Sequence, residues 1–170
     1  MKNILLSIAL LAMGQIAFAQ SADEEAIKQV ITKETLSFYH CDAAAWESTM
    51  LPVDYNTWAV TTFNDPGSAA TGKGLNFINS MKSYLNSGRC KKSEPKIKYS
   101  DWNIQIRGNV AWAAYKERST MSDDTEIDAY TMKILEKQDG MWKISATSSV
   151  WDFNHASKPW NPKEGTKAKN

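Results

Sequence analysis

Two carboxylates stand where their surroundings would give them chemistry. Glu34 lies three residues after Ile31 and four before Phe38, on the apolar stripe of a helix-periodic segment. Facing a closed interior, its carboxyl would be desolvated, its pKa would rise, and the neutral acid would donate a hydrogen bond or a proton at pH 7. At the edge of the stripe it would instead reach solvent or pair with a basic side chain. Asp128 is the second candidate. It sits mid-run in Glu126-Ile127-Asp128-Ala129-Tyr130-Thr131, where alternation places Glu126, Asp128 and Tyr130 on one face. An inward face would bring Asp128 and Glu34 together as a carboxyl pair. An outward face would leave Asp128 solvated.

Aromatic residues could wall such an interior. Tyr39, Trp46, Trp58, Trp112, Tyr115 and Trp151 are candidates for ligand contact, because flat walls suit ring-shaped ligands. The competing account is that they fill a core, which is expected of about half of them. His40 and His155 have no evident triad partners, and a histidine at a helix end ordinarily complements the dipole. With two His and two Cys in the chain, a Cys/His zinc cluster is not expected. No metal or other cofactor is implied. Gly72-Lys73-Gly74 lacks the spacing of a phosphate-binding loop and reads as a turn. Asp152 beside Trp151 is either a rim residue or a strand-end cap.

The chain has 170 residues, with 20 Lys and Arg against 19 Asp and Glu, and 42% hydrophobic residues. That length suits one domain with a sizeable core, and the balanced charge argues against a nucleic-acid binder. Residues 1–19 read as a cleavable signal peptide: Lys2, an apolar run from Ile4 to Met13, then Ala17-Phe18-Ala19 as a small-x-small site. The mature chain would begin at Gln20 and carry 19 residues of each sign. No Cys follows the site, so no lipid anchor is expected there, and the apolar run is too short to span a bilayer. The expected product is a soluble bacterial protein, periplasmic or secreted. Residues 157–170, with two Pro, one Gly and four Lys, read as a loose basic tail.

An oxidising compartment makes a bond between Cys41 and Cys90 the favoured expectation, against two free thiols. Closing a loop of that size stabilises by about 4 kcal/mol in the chain-entropy account.

The elements that would hold these residues follow from periodicity and turn signals. A Ser21-x-x-Glu24 capping box opens a helix over 22–39, with Ile27, Val30, Ile31 and Phe38 on one side. Asp42 caps a short helix from Ala43 to Met50, stopped by Pro52. Thr57 to Phe63 is a strand, 64–67 is a turn, and a third helix runs from Leu75 to Leu85 with Leu75, Ile78, Met81 and Leu85 near one face. Four antiparallel strands follow, over Lys96 to Arg107, Val110 to Ser119, Glu126 to Glu136 and Met141 to Phe153, turning at Gly108-Asn109 and Asp139-Gly140. Helices first and a long meander last define an α+β domain.

Three motifs then resemble a known superfamily. Asp42 with Trp46, Gly108-Asn109-Val110-Ala111-Trp112, and Asp139-Gly140-Met141-Trp142-Lys143-Ile144 are similar, in order and spacing, to motifs of the nuclear transport factor 2-like proteins, and among them the SnoaL-like group. The resemblance covers about residues 22–153, within a domain at 20–156. It implies a cone-shaped α+β barrel, in which three N-terminal helices pack on a strongly curved, mainly antiparallel sheet and leave a pocket. It also implies a homodimer. The motifs are turns and packing positions, so they do not choose a function. The Tyr and Asp of the ketosteroid isomerase-like members are absent by type, their places falling near Glu34 and Trp58. The leading expectation is an exported domain that binds a small apolar or aromatic molecule. Two alternatives stand beside it: an isomerase, dehydratase or cyclase using a pocket carboxyl, and an interaction domain with a filled cone.

Overall fold

The structure, a computed structural model, describes the backbone of residues 2–63 and 65–152 and the side chains of 21–63 and 69–152. Phe153, His155 and the basic tail, like the 64–67 turn and the residues of the expected cleavage site, lie wholly or in their side chains outside the described residues. The order is α1 (Lys2–Tyr39), α2 (Ala43–Glu47), β1 (Thr57–Thr62), β2 (Asp65–Lys73), α3 (Gly74–Leu85), β3 (Lys96–Arg107), β4 (Val110–Thr120), β5 (Glu126–Gln138) and β6 (Met141–Asp152).

The six strands form one sheet in the order β2-β1-β6-β5-β4-β3. Every neighbouring pair is antiparallel except β1 with β6, which is parallel. The two outer strands do not meet, so the barrel is open. Irregular register at Ser100/Asn103 in β3 and Ile134/Leu135 in β5 interrupts the ladder; such bulges bend a strand and let a sheet curve around a helix.

That helix is α1. Ile27 and Ile31 are fully buried on it, as the helical period requires. The sheet meets them with small residues, Ala111 and Ala113 of β4, and with Leu135, Trp142 and Ile144. The rod comes nearest the sheet at β6, and the inward side chains of both sizes fill the space between them. α1 runs unbroken through Ser21, so the Ser21–Glu24 pattern does not begin a helix here. Asp42 does cap α2, its Oδ1 accepting from Ala45 N at 2.9 Å, but that helix ends at Glu47 and Met50 instead bridges to Ile144.

Two further expectations are corrected. The segment after β1 is a strand rather than a turn and loop: β2 pairs with β1 from Thr57↔Lys73 to Thr62↔Asp65. Pro66 and Gly67 disguise it, and an edge strand tolerates both because its outer side needs no ladder. On α3 the buried stripe is Phe77, Ile78 and Leu85, while Leu75 is 43% exposed. The face is set by Gly72, whose missing side chain makes room for the Phe77 ring.

The rod is fastened at two points. Midway along it, Asp23 Oδ1 accepts from Lys137 Nζ at 2.6 Å and from Trp142 Nε1 at 3.0 Å. The Lys137 hydrogen bond, with that from Trp142, holds the Asp23 carboxyl below its ordinary pKa. At its end, Cys41 is bonded to Cys90 in the segment after α3. Ser93 N donates to Tyr39 O at 2.9 Å, and His40 Nε2 pairs with Glu94 Oε2 at 2.9 Å.

Candidate functional site

Between the C-terminal half of α1 and the inner face of the sheet lies a cavity of about 100 Å³. Its floor comes from strand alternation. The register pairs Tyr115 with Thr131, Glu117 with Ala129 and Ala113 with Lys133, all on the inner face of β4 and β5. In β6 the inner face continues through Thr147, Ser149 and Trp151, which lie opposite Lys133, Thr131 and Ala129. Trp58 and Val60 of β1 close one side, and Phe38, Trp46 and Met81 come from the helices.

Five of the six aromatic candidates meet here: Tyr39, Trp46, Trp58, Tyr115 and Trp151. Trp112 does not. It pairs with Gln105 and Ile134 on the outer face, one residue out of phase with Tyr115. The rings that line the cavity are also packed by neighbours. Trp58 stacks on Phe77 at 5.5 Å between centroids, Trp46 meets Phe77 edge-on at 5.9 Å, and Tyr115 lies 4.6 Å from Trp102.

Glu34 faces the cavity and has a basic partner. Lys133 Nζ lies 3.0 Å from its Oε2 and 3.4 Å from Thr147 Oγ1, with the lysine side chain only 4% exposed. Trp46 Nε1 donates to the other Glu34 oxygen at 3.3 Å. A buried ammonium demands such a counter-ion, because an unpaired charge in the interior is costly.

Asp128 and Glu34 are not a pair. Asp128 is on the outer face of β5, where Arg118 donates to both of its oxygens at 2.7 Å. It is 1% exposed rather than solvated, because the planar guanidinium covers it as a two-bond partner. Asp128 keeps the Arg118 guanidinium protonated far above its usual range. Asp152 lies opposite Asp128 in the ladder, on that same outer face.

Glu117, which the sequence reading did not single out, is the second cavity carboxylate. Its partners are hydroxyls: Thr35 Oγ1 at 3.4 Å and Ser119 Oγ at 3.1 Å. Burial raises its pKa, and the nearby Glu34 raises it further against the opposing pull of Lys133. Burial likewise raises the phenols of Tyr39 and Tyr115. A hydroxyl pair, Thr131 and Ser149 at 2.8 Å, completes the polar floor. The arrangement can enclose an apolar body against aromatic walls and offer it one carboxyl not committed to an ion pair. No group of His, Cys, Asp or Glu able to hold a metal is present among the described residues.

No family model matches the chain, and no curated protein matches its sequence. Solved structures do match its shape. A nuclear transport factor 2-like protein of unknown function from Pseudomonas putida KT2440 aligns with a TM-score of 0.59 at 16% identity, over 76% of this chain and 87% of that one. A similar protein from Cytophaga hutchinsonii gives 0.57 at 15%, over 75% and 96%. A hexachlorocyclohexane dehydrochlorinase (LinA) of type 2 gives 0.55 at 13%, over 86% and 94%. The chain has the nuclear transport factor 2-like fold, an α+β cone built by helices against a curved sheet.

Proposed function

We propose that this is an exported SnoaL-like domain whose cone cavity binds a small apolar or aromatic molecule. The observation that carries the reading is the cavity itself: a space walled largely by aromatic and apolar side chains, with a few polar groups from the sheet floor and from Glu34 and Thr35 of α1, as ligand sites are built. The Cys41–Cys90 bond is consistent with an extracellular location, and among the described residues no helix is long and apolar enough to cross a membrane. Native mass spectrometry of the purified protein tests the reading. A co-purified small molecule is expected, lost when Trp58→Ala and Trp151→Ala open the walls. Intact-mass measurement of exported protein is expected to show a chain starting at Gln20.

A second reading is an enzyme of isomerase, dehydratase or cyclase type. Glu117 favours it, as a cavity carboxyl with a raised pKa and only hydroxyl partners. The dehydrochlorinase likeness shows that this fold hosts elimination chemistry in another protein. In this reading Glu117 moves the proton, while Glu34 holds Lys133 in place. Turnover that survives Glu117→Gln would refute it. A homodimer is proposed through the outer sheet face, where Tyr130 is 49% and Met132 40% exposed; light scattering of the purified protein should give twice the monomer mass.

A further inference from the structure

The charges around the cavity do not balance. Among the described residues, three readily ionised side chains line it: Glu34, Glu117 and Lys133. Lys133 is committed to Glu34 at 3.0 Å, with Thr147 as its other partner. Glu117 is left with the neutral hydroxyls of Thr35 and Ser119. With all three ionised, the cavity holds one negative charge in excess. Among the described residues, the groups facing Glu117 do not supply the missing cation: α1 presents Glu34 and Tyr39, β3 presents Tyr99, β4 presents Tyr115, and β5 presents the already paired Lys133.

The walls suit a cation as well. Aromatic rings attract a positive charge through the negative face of their quadrupole, most strongly where water is excluded. Trp46, Trp58, Trp151, Phe38 and Tyr39 line this space, and Val60 and Met81 offer hydrocarbon contact. An anionic ligand would meet two carboxylates and one spent lysine.

We propose that the cavity selects a small organic monocation, a protonated amine with an aromatic or aliphatic body, with Glu117 as its counter-ion. This rests on the ligand-binding reading above and adds the charge of the ligand to it. The raised pKa of Glu117 agrees with a carboxylate held short of a charged partner. A neutral ligand accepting a hydrogen bond from protonated Glu117 would show the opposite pH dependence.

The test uses the full chain and matched probes: benzylamine, benzyl alcohol and benzoate, followed by tryptophan fluorescence and calorimetry. Benzylamine is expected to bind at least tenfold tighter than benzyl alcohol at pH 7, with benzoate weakest. Its affinity should fall as pH drops through the Glu117 ionisation, with protons released on binding below it. Glu117→Gln should bring the amine down to the level of the alcohol and abolish the proton release. If that variant does not fold, the pH profile of the unaltered protein decides. Alcohol binding as tightly as amine, or amine affinity rising as pH falls, would overturn the cation proposal and leave the binding reading standing. Failure of all three probes to bind would count against both.

Discussion

Lys133 Nζ and Glu34 Oε2 meet at 3.0 Å between β5 and α1, so the sheet and the rod are joined by an ion pair beside the cavity. Each charge depends on the other, because the lysine side chain is 4% and the glutamate side chain 14% exposed. Lys133→Met should destabilise the fold by about 3–5 kcal/mol, by stranding a carboxylate. Adding Glu34→Gln should recover about 2 kcal/mol of that loss, the sign of a coupled pair. Urea denaturation of the two single variants and the double variant measures the coupling, and simple additivity would contradict it.

Glu117 makes a pH prediction with a definite sign. Its folded-state pKa is raised above the ordinary 4.5 by burial and by Glu34. The folded protein therefore binds this proton more tightly than the unfolded chain. Its contribution to stability is present below the ordinary value and fades as pH rises through the raised one. Relative to the unaltered protein, Glu117→Gln should gain stability progressively across that interval. Thermal melts from pH 4 to 8 give the difference curve; a flat difference would exclude the raised ionisation.

Residue periodicity explains why one cavity carboxylate was legible and the other was not. Glu34 interrupts an apolar helical stripe, so its spacing exposes it. Glu117 follows Ala111, Ala113 and Tyr115 at alternate positions, and that phase alone puts it inside. The signal was present but carried by two alanines, which say little about direction. Lys133 was hidden in the same way, behind Ala129 and Thr131. Asp128 and Trp112 belong to the opposite phase, and only the ladder register shows which phase faces the rod. The long meander was readable from its two Gly turns. Strand β2 was not, since its Pro and Gly residues are tolerated only because it lies at the sheet edge, and edge position is a property of the whole fold.

The Cys41–Cys90 bond closes a loop with a sequence separation of 49 residues. Chain entropy assigns it about 4 kcal/mol. The Cys41→Ser/Cys90→Ser double variant should lose stability of that order, and adding reductant to the unaltered protein should give the same melting temperature as the variant. A melting temperature insensitive to reductant would contradict the assignment.

Gly72 is predicted to be intolerant of even one added carbon. A Cβ there would lie 2.2 Å from Phe77 Cδ2 and 2.6 Å from Cγ. The ring has little freedom to yield, being stacked on Trp58 and edge-on to Trp46. Gly72→Ala should cost about 1–3 kcal/mol through overpacking. Its signature is partial rescue by Phe77→Leu, measured by chemical denaturation. Because Trp58 lines the cavity, the same substitution should weaken ligand binding as well; unchanged stability would show that the strand slides aside.

Anchors at Asp23 and Cys41 leave the rod little licence to tilt. A guest must therefore fit the space that the packed rings leave, instead of parting helix from sheet. Across a homologous series, tolerance should end abruptly at one chain length, like a ring gauge, instead of tapering off as it does in clefts that open on a hinge.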